Sequence, residues 1–242
     1  MPSELERLAT LMRRSARTVV LTGAGISTES GIPDFRGPGG IWEGVDPMEV
    51  GHIRAARRDP ARVWEYYRRR VGTVRAARPN AGHLAIARMQ RAGRVHALVT
   101  QNVDGLHAAA GSQAIEVHGS LRTANCMDCG VEIAMPADPV GVPCCAECGG
   151  PLKPGVVMFG EMLPEAAIMR ANELAASCEL LIAAGSTLEV WPVAELPAIA
   201  LDSGAALAVL NRGPTGYDDR CHVRIEGPLG EVLPALAESV GA

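Results

Sequence analysis

Four cysteines in two short pairs carry the most specific chemistry in this chain: Cys126-x2-Cys129 and Cys145-x2-Cys148, separated by 15 residues. Each pair turns two thiolates toward one point. Two such pairs complete the tetrahedron of a zinc ion, at about 2.3 Å per Zn–S bond. Gly130, Gly149 and Gly150 permit the tight turns this needs. With four thiolate ligands no coordination position stays open, so the expected Zn2+ is a single structural ion. Cys144 adjoins Cys145 and competes with it, but the x2 spacing favours Cys145. Cys144, Cys178 and Cys221 are read as ordinary thiols.

A second group of residues points to a nucleotide. Gly23-Ala24-Gly25 follows the apolar run TVVLT, where exposed backbone amides can approach a pyrophosphate. The dinucleotide fingerprint is incomplete, because Thr28 stands where its third glycine belongs. Alone, the segment is either a phosphate loop or a tight turn. The following ESGIPDFRG carries Phe35 through a polar loop, an expensive place for a phenyl ring unless it covers a ligand. Polar residues then stand after two more apolar runs, Gln101, Asn102 and Asp104 in TQNVDGLH and His118 in HGS. Ligands of a parallel sheet sit beyond the carboxyl ends of its strands, where the glycine loop also points. His118 is the candidate general base, since an unperturbed imidazole titrates near neutrality. His52, His83, His96, His107 and His222 are read as structural or solvent-facing.

The elements that must position these groups follow from periodicity. Leu5, Leu8, Leu11 and Met12 repeat at helical spacing, so 3–15 is expected helical. Asp59-Pro60 has the form of a helix start, with the helix running to about Ala77. Further helices are expected over 81–92, 164–177, 192–202 and 229–240. Strands are expected at TVVLT, VHALVT, AIEVHGS, PGVVMF, ELLIAAGS, AALAVLN and VRIEG. Apolar strands alternating with helices predict an α/β fold with a parallel sheet covered on both faces. The stretch 37–50 reads as loop. The irregular stretches 37–79 and 119–155 are candidates for a second, smaller domain.

The bulk numbers narrow the class. The chain has 242 residues, 48% hydrophobic and 21% charged, enough apolar material for a packed core. Net charge is −4 and Lys153 is the only lysine, so the abundant arginine is given no weight by itself. Nothing in this balance suggests nucleic-acid or anionic-membrane binding. Without an apolar run of membrane length or a signal core, the protein is expected to be soluble and cytoplasmic. Seven cysteines, four of them in two pairs, suit a metal site in a reducing compartment.

Taken in order, GAGIS (23–27), GIPDFRG (31–37), TQNVDGLH (100–107), HGS (118–120), the four cysteines, VVMFGE (156–161), GSTLEVWP (185–192) and Asn211-Arg212-Gly213 resemble the sirtuin family of NAD-dependent protein-lysine deacylases. The resemblance spans nearly the whole chain. It implies a Rossmann-type NAD-binding domain from 1–36, 80–118 and 156–242. A smaller domain from 37–79 and 119–155 would join a helical insert to the zinc knuckles, with NAD in the cleft between the two. NAD is then consumed as co-substrate, which accounts for the incomplete fingerprint. Gly23, Ala24, Gly25, Ser27 and Arg36 would line the phosphate and ribose region, with Phe35 over the nicotinamide ribose. Gln101, Asn102 and Asp104 would hold the ribose and the nicotinamide amide. Gly185, Ser186 and Asn211 would hold the adenosine half. Where the family usually has Gly-Thr-Ser, this chain has Gly185-Ser186-Thr187, which keeps both hydroxyls. Val157, Phe159, Gly160 and Glu161 would receive an acylated-lysine protein segment as an added strand.

The same resemblance directs attention to VWEYYRRRV (63–71). Family members that remove succinyl or malonyl groups carry Tyr-x-x-Arg facing the acyl tunnel, and Tyr67-x-x-Arg70 has that spacing. A guanidinium and a phenol would supply donors for a distal carboxylate. Tyr66 and Arg69 form a competing Tyr-x-x-Arg, and Tyr66, Arg68 and Arg69 are read as packing and solvated charge. The expected activity yields nicotinamide, free lysine and O-acyl-ADP-ribose, on succinyl and malonyl as well as acetyl lysine. Deacetylation alone, or protein ADP-ribosyl transfer from the same NAD site, remains the alternative.

Overall fold

The computed structural model describes residues 2–35 and 40–242. The chain runs through α1 (Glu4–Arg14), β1 (Thr18–Thr22), a 3-10 helix (Ala24–Ser30), α2 (Pro47–Val50), α3 (Ile53–Arg58), α4 (Pro60–Ala76), α5 (Ala81–Arg91), β2 (Ala97–Thr100), α6 (Leu106–Ala109) and β3 (Ala114–Glu116). It continues through β4 (Gly119–Cys126), β5 (Glu132–Ala134), β6 (Leu152–Val156), α7 (Glu165–Ser177), β7 (Leu180–Ala184), α8 (Leu196–Asp202), β8 (Ala206–Leu210), β9 (Val223–Ile225) and α9 (Leu229–Ser239). Local chemistry sets the helix starts. Ser3 and Glu6 form a reciprocal capping box on α1, and Asp59 caps α4 with Pro60 in its first turn.

Six parallel strands form the large sheet in the order β3-β2-β1-β7-β8-β9. Numbered within that sheet, the order is the doubly wound 3-2-1-4-5-6, whose crevice opens where the order reverses. That point lies between β1 and β7. Successive side chains alternate between faces. Val20, Leu98 and Ile182 pack on α1, α5 and α9 through Leu8, Ile86 and Leu233. Val19, Leu21 and Leu181 pack on α7 and α8 through Leu174, Leu196 and Ala200. β1 and β7 are buried at every position, as strands covered on both faces must be.

A second, antiparallel sheet has the order β5-β4-β6. Its core is separate: Trp64, Tyr67 and Val71 of α4 pack on Leu121, Ala124 and Leu152. The Trp64 indole donates to the Leu152 carbonyl at 2.7 Å. Here the sequence-based expectation fails in detail. AIEVHGS is not one strand; β3 ends in the large sheet and β4 begins in the small one. Gly119 makes that change of direction at φ 74°, and a Cβ there would stand 2.2 Å from the Gly155 carbonyl oxygen. The irregular reading of 119–155 concealed the small sheet, because its strands are short and interrupted by cysteine turns. The 37–50 loop contains α2, capped by Asp46. Among the described residues no helix is long and apolar enough to cross a membrane.

Candidate active site

The loops after β1 and β7 touch backbone to backbone. Gly23 N–H donates to the Ala184 carbonyl at 3.1 Å and Gly25 N–H to the Gly185 carbonyl at 2.8 Å. A Cβ on Gly25 would lie 2.7 Å from Gly185 Cα, and one on Gly185 (φ 68°) 2.5 Å from Ile26 N. These glycines therefore exist first to let two turns meet at the crevice. Ala24 opens the 3-10 helix that follows, and Ser27 lies within it, almost fully buried.

Ser27 is the hub of a polar cluster. Its hydroxyl donates to Asp104 Oδ2 at 2.7 Å and accepts from Asn102 Nδ2 at 3.1 Å. Asp104 Oδ1 accepts from Leu106 N–H at 2.8 Å, which aims the carboxylate. Gln101 Nε2 donates to the Ser186 hydroxyl at 2.9 Å, tying the end of β2 to the turn after β7. Asn211 bonds the Gly213 carbonyl beyond β8 at 2.9 Å. The expected nucleotide-site residues thus gather at the carboxyl ends of β1, β2, β7 and β8. Arg36 lies outside the described residues. Phe35 is 40% exposed, with its ring 5.7 Å from that of Trp42.

His118 stands beside this cluster. Its Nδ1 donates to the Gln101 carbonyl at 3.1 Å, which leaves Nε2 as the acceptor nitrogen. Burial pushes its pKa below the ordinary 6.5, with the Gln101 bond opposing, so the ring is neutral at pH 7 and able to take a proton. Its carbonyl accepts from Val157 N–H at 2.9 Å, linking the candidate base to the segment expected to receive peptide. Within that segment Phe159 bonds Gly51 O and Ile53 N through its own backbone. Its backbone is therefore committed, and its 46% exposed ring is what it offers. Glu161 accepts from Met158 N–H at 2.8 Å and from Lys153 Nζ at 2.9 Å. Gly160 turns at φ 83° with its open face against His52.

Two of the histidines read as structural or solvent-facing are structural, and they lie next to the site. His83 and His107 are fully buried beneath the Ser27 cluster, ring centroids 4.8 Å apart. His83 Nε2 approaches the Ser27 hydroxyl at 3.5 Å, and His107 Nε2 bonds Thr22 Oγ1 at 2.9 Å. Thr22 in turn bonds Thr100 Oγ1, which accepts from Asn102 N–H at 3.1 Å. Burial pushes His83 down to about 4 and His107 down to about 3, so both are neutral. Asn80 caps α5 and bonds His83 Nδ1 at 3.0 Å. A polar pair at an Asn-x-x-His helix start was the available sequence signal. Lys153 was equally visible as the single lysine, and its burial against the Val156 carbonyl explains it.

Tyr67 and Arg70 of the Tyr-x-x-Arg spacing have different surroundings. Tyr67 packs its ring into the small-sheet core, and burial raises its phenol well above the usual range. Arg70 bonds the Tyr66 hydroxyl and, at 2.7 Å, the Ile41 carbonyl, with its Cζ 3.9 Å above the Tyr66 ring. Tyr66 is therefore Arg70's partner as well as packing. The reason is helical geometry: residues four apart place these two side chains over one another.

Cys126, Cys129, Cys145 and Cys148 converge with all four Sγ within 4.8 Å of one another. The pairs Cys126–Cys148 and Cys129–Cys145 are 3.4 and 3.7 Å apart, against about 3.8 Å for the edge of a Zn–S4 tetrahedron. Backbone N–H groups of Asp128, Cys129 and Gly150 point at the sulfurs. The donor set fits one structural zinc. Cys144 is exposed and stands outside it, as the x2 spacing implied.

Comparison with known proteins agrees with this geometry. The Sir2 family model matches residues 23–192. NAD-dependent protein deacylase 2 of Pyrobaculum aerophilum is 45% identical over 96% of this chain and 94% of its own. NAD-dependent protein deacetylase 1 of the same organism is 44% identical over 97% and 94%. The crystal structure of a Sir2 homolog–NAD complex superposes with a TM-score of 0.92 at 40% identity, covering 98% of this chain and 93% of that one.

Proposed function

We propose, for a chain that belongs to the Sir2 family, the activity of an NAD-dependent protein-lysine deacylase. The observation that carries this reading is one arrangement. His118, pinned at Nδ1 and neutral, stands beside the Ser27–Asn102–Asp104 cluster at the switch point of a doubly wound sheet. NAD, when bound, supplies an ADP-ribosyl group with nicotinamide as leaving group. Gly23, Ala24, Gly25, Ser27 and Phe35 line its phosphate and ribose region. Gln101, Asn102 and Asp104 hold the ribose and carboxamide, and Gly185, Ser186 and Asn211 hold the adenosine half. His118 Nε2 would take the proton of a ribose hydroxyl, so that this oxygen bonds the acyl carbon while the acyl–lysine C–N bond breaks. The lysine amine leaves with a proton, and one water supplies the remaining oxygen and hydrogen. The products are nicotinamide, free lysine and O-acyl-ADP-ribose.

The protein substrate binds along 157–161. Val157, Gly160 and Glu161 form the wall, and Phe159 contributes its ring, since its backbone already bonds Gly51 and Ile53. The chain divides into the NAD-binding lobe of 1–36, 80–118 and 156–242 and the smaller lobe of 37–79 and 119–155. The separate core around Trp64 and Leu152 supports that division. In this reading Tyr67 and Arg70 extend the acyl range to succinyl and malonyl groups, because a half-buried guanidinium attracts a carboxylate. A deacetylase restricted to neutral acyl groups is the second reading, favoured by Arg70's present bonds to Tyr66 and Ile41.

Purified protein, NAD and matched acetyl- and succinyl-lysine peptides test the proposal. Nicotinamide and O-acyl-ADP-ribose should appear together and stop with His118→Ala. Label from NAD accumulating on protein instead would replace the deacylase with an ADP-ribosyltransferase.

A further inference from the structure

The chain has three Trp, three Tyr and two Phe, and five of these form one continuous array. Phe35 packs on Trp42, Trp42 stacks on Tyr66 at 6.0 Å and 4°, Tyr66 meets Tyr67 edge-on at 5.3 Å, and Phe159 lies 6.5 Å from Trp42. A protein this poor in aromatics has placed most of them between its proposed ribose site, its peptide site and α4. Among the described residues, Arg70 is the cation that lies on the array. Arg70 sits 3.9 Å above the Tyr66 ring and 5.8 Å from Trp42.

Among the described residues, that guanidinium's hydrogen-bond partners are neutral. Its terminal nitrogen donates to the Tyr66 hydroxyl and the Ile41 carbonyl. Its Nε is buried and has no hydrogen-bond partner among the described residues. A guanidinium has five donors, and a carboxylate can take two of them in a bidentate, charge-assisted pair. The present contacts are weaker than that pair but must be given up to form it. A neutral acetyl group makes no such demand.

We propose that Tyr66 and the Ile41 carbonyl hold Arg70 in a parked position, so that Tyr66 determines how strongly the site favours acidic over neutral acyl groups. This inference rests on the deacylase reading above and names a further specificity-determining residue within it. Parking lets acetyl-lysine pass without a competing charge in its path. An acidic acyl group draws Arg70 away at the cost of the Tyr66 and Ile41 bonds. Trp42 adds coupling, since it backs the Tyr66 ring while touching Phe35 and Phe159.

The test is the ratio of kcat/KM on matched succinyl and acetyl peptides, taken within one preparation so that any inactive fraction cancels. Four proteins are compared: wild type, Tyr66→Phe, Arg70→Met and the double variant. Tyr66→Phe keeps the ring under Arg70 and removes only the hydroxyl. The succinyl-to-acetyl ratio should rise about three- to tenfold, the range of one ordinary hydrogen bond's net contribution. In the double variant the gain should vanish, because no guanidinium remains to be released. An unchanged or lowered ratio in Tyr66→Phe, with Arg70→Met still losing succinyl activity, overturns the parking role and leaves the clamp standing. If Arg70→Met changes neither substrate's rate, the acidic-acyl reading itself fails and this inference falls with it.

Discussion

His118 has two ring nitrogens, and the structure assigns them different tasks. Nδ1 is engaged by the Gln101 carbonyl, so proton uptake falls to Nε2. Burial lowers the imidazole's pKa from 6.5, which keeps the proposed base neutral to more acid pH. The acid limb of kcat/KM should therefore have its midpoint below pH 6.5; a midpoint above 7 would mean that another group limits the rate. His118→Ala should lower kcat by about 10²- to 10⁴-fold, the usual worth of a positioned general base. Ser27 was legible only as one member of a motif. Its central place among Asn102 and Asp104 required the turn after β1 to fold over the end of β2. For the same reason Tyr66 was misjudged, since one helix turn separates it from Arg70 but spacing alone does not say which tyrosine the guanidinium chooses.

At the scale of elements, the glycine turns after β1 and β7 explain why an incomplete dinucleotide fingerprint can serve. Gly185 combines a positive φ with a Cβ position 2.5 Å from Ile26 N. Gly185→Ala should cost about 1–3 kcal/mol from backbone strain and overlap, seen as a lowered Tm, and should raise the KM for NAD. An unchanged Tm would show that the two turns can separate without penalty. The zinc element makes a sharper demand. Cys126→Ala should abolish stoichiometric zinc, measured by elemental analysis, and expose 119–156 to protease, because β4 and β6 both begin or end at the knuckles. Retained zinc would point to a substitute ligand, with Cys144 the nearest thiol in sequence. The strands and long helices were readable from apolar runs and capping residues, whereas the small sheet was not. Its short strands are paired by distant residues, and local propensity carries little of that information.

The molecule as a whole buries two neutral histidines under its NAD-side crevice, and its stability should depend on pH accordingly. In the unfolded chain both titrate near 6.5; in the folded chain His83 is pushed down to about 4 and His107 to about 3. Between those values and 6.5 the unfolded state binds more protons, so stability falls as pH falls, by about 1.4 kcal/mol per unit for each histidine. Above pH 6.5 neither group contributes a slope. Unfolding in denaturant across pH 4–7 should show this loss, and a His107→Gln variant should show a shallower one. A flat profile in the wild-type chain would refute the buried-neutral pair. Sequence by itself determined the four cysteines that converge, the strand-end polar residues, the alternation that makes a covered parallel sheet, and the family resemblance. Each depends on spacing along the chain. Only the tertiary structure decided that His83 and His107 underlie Ser27, that Gly25 and Gly185 exist for one another, and that Arg70 rests on Tyr66 rather than Tyr67. Those facts arise where segments far apart in sequence, or rotamers on one helix, compete for the same space and the same hydrogen-bond partners.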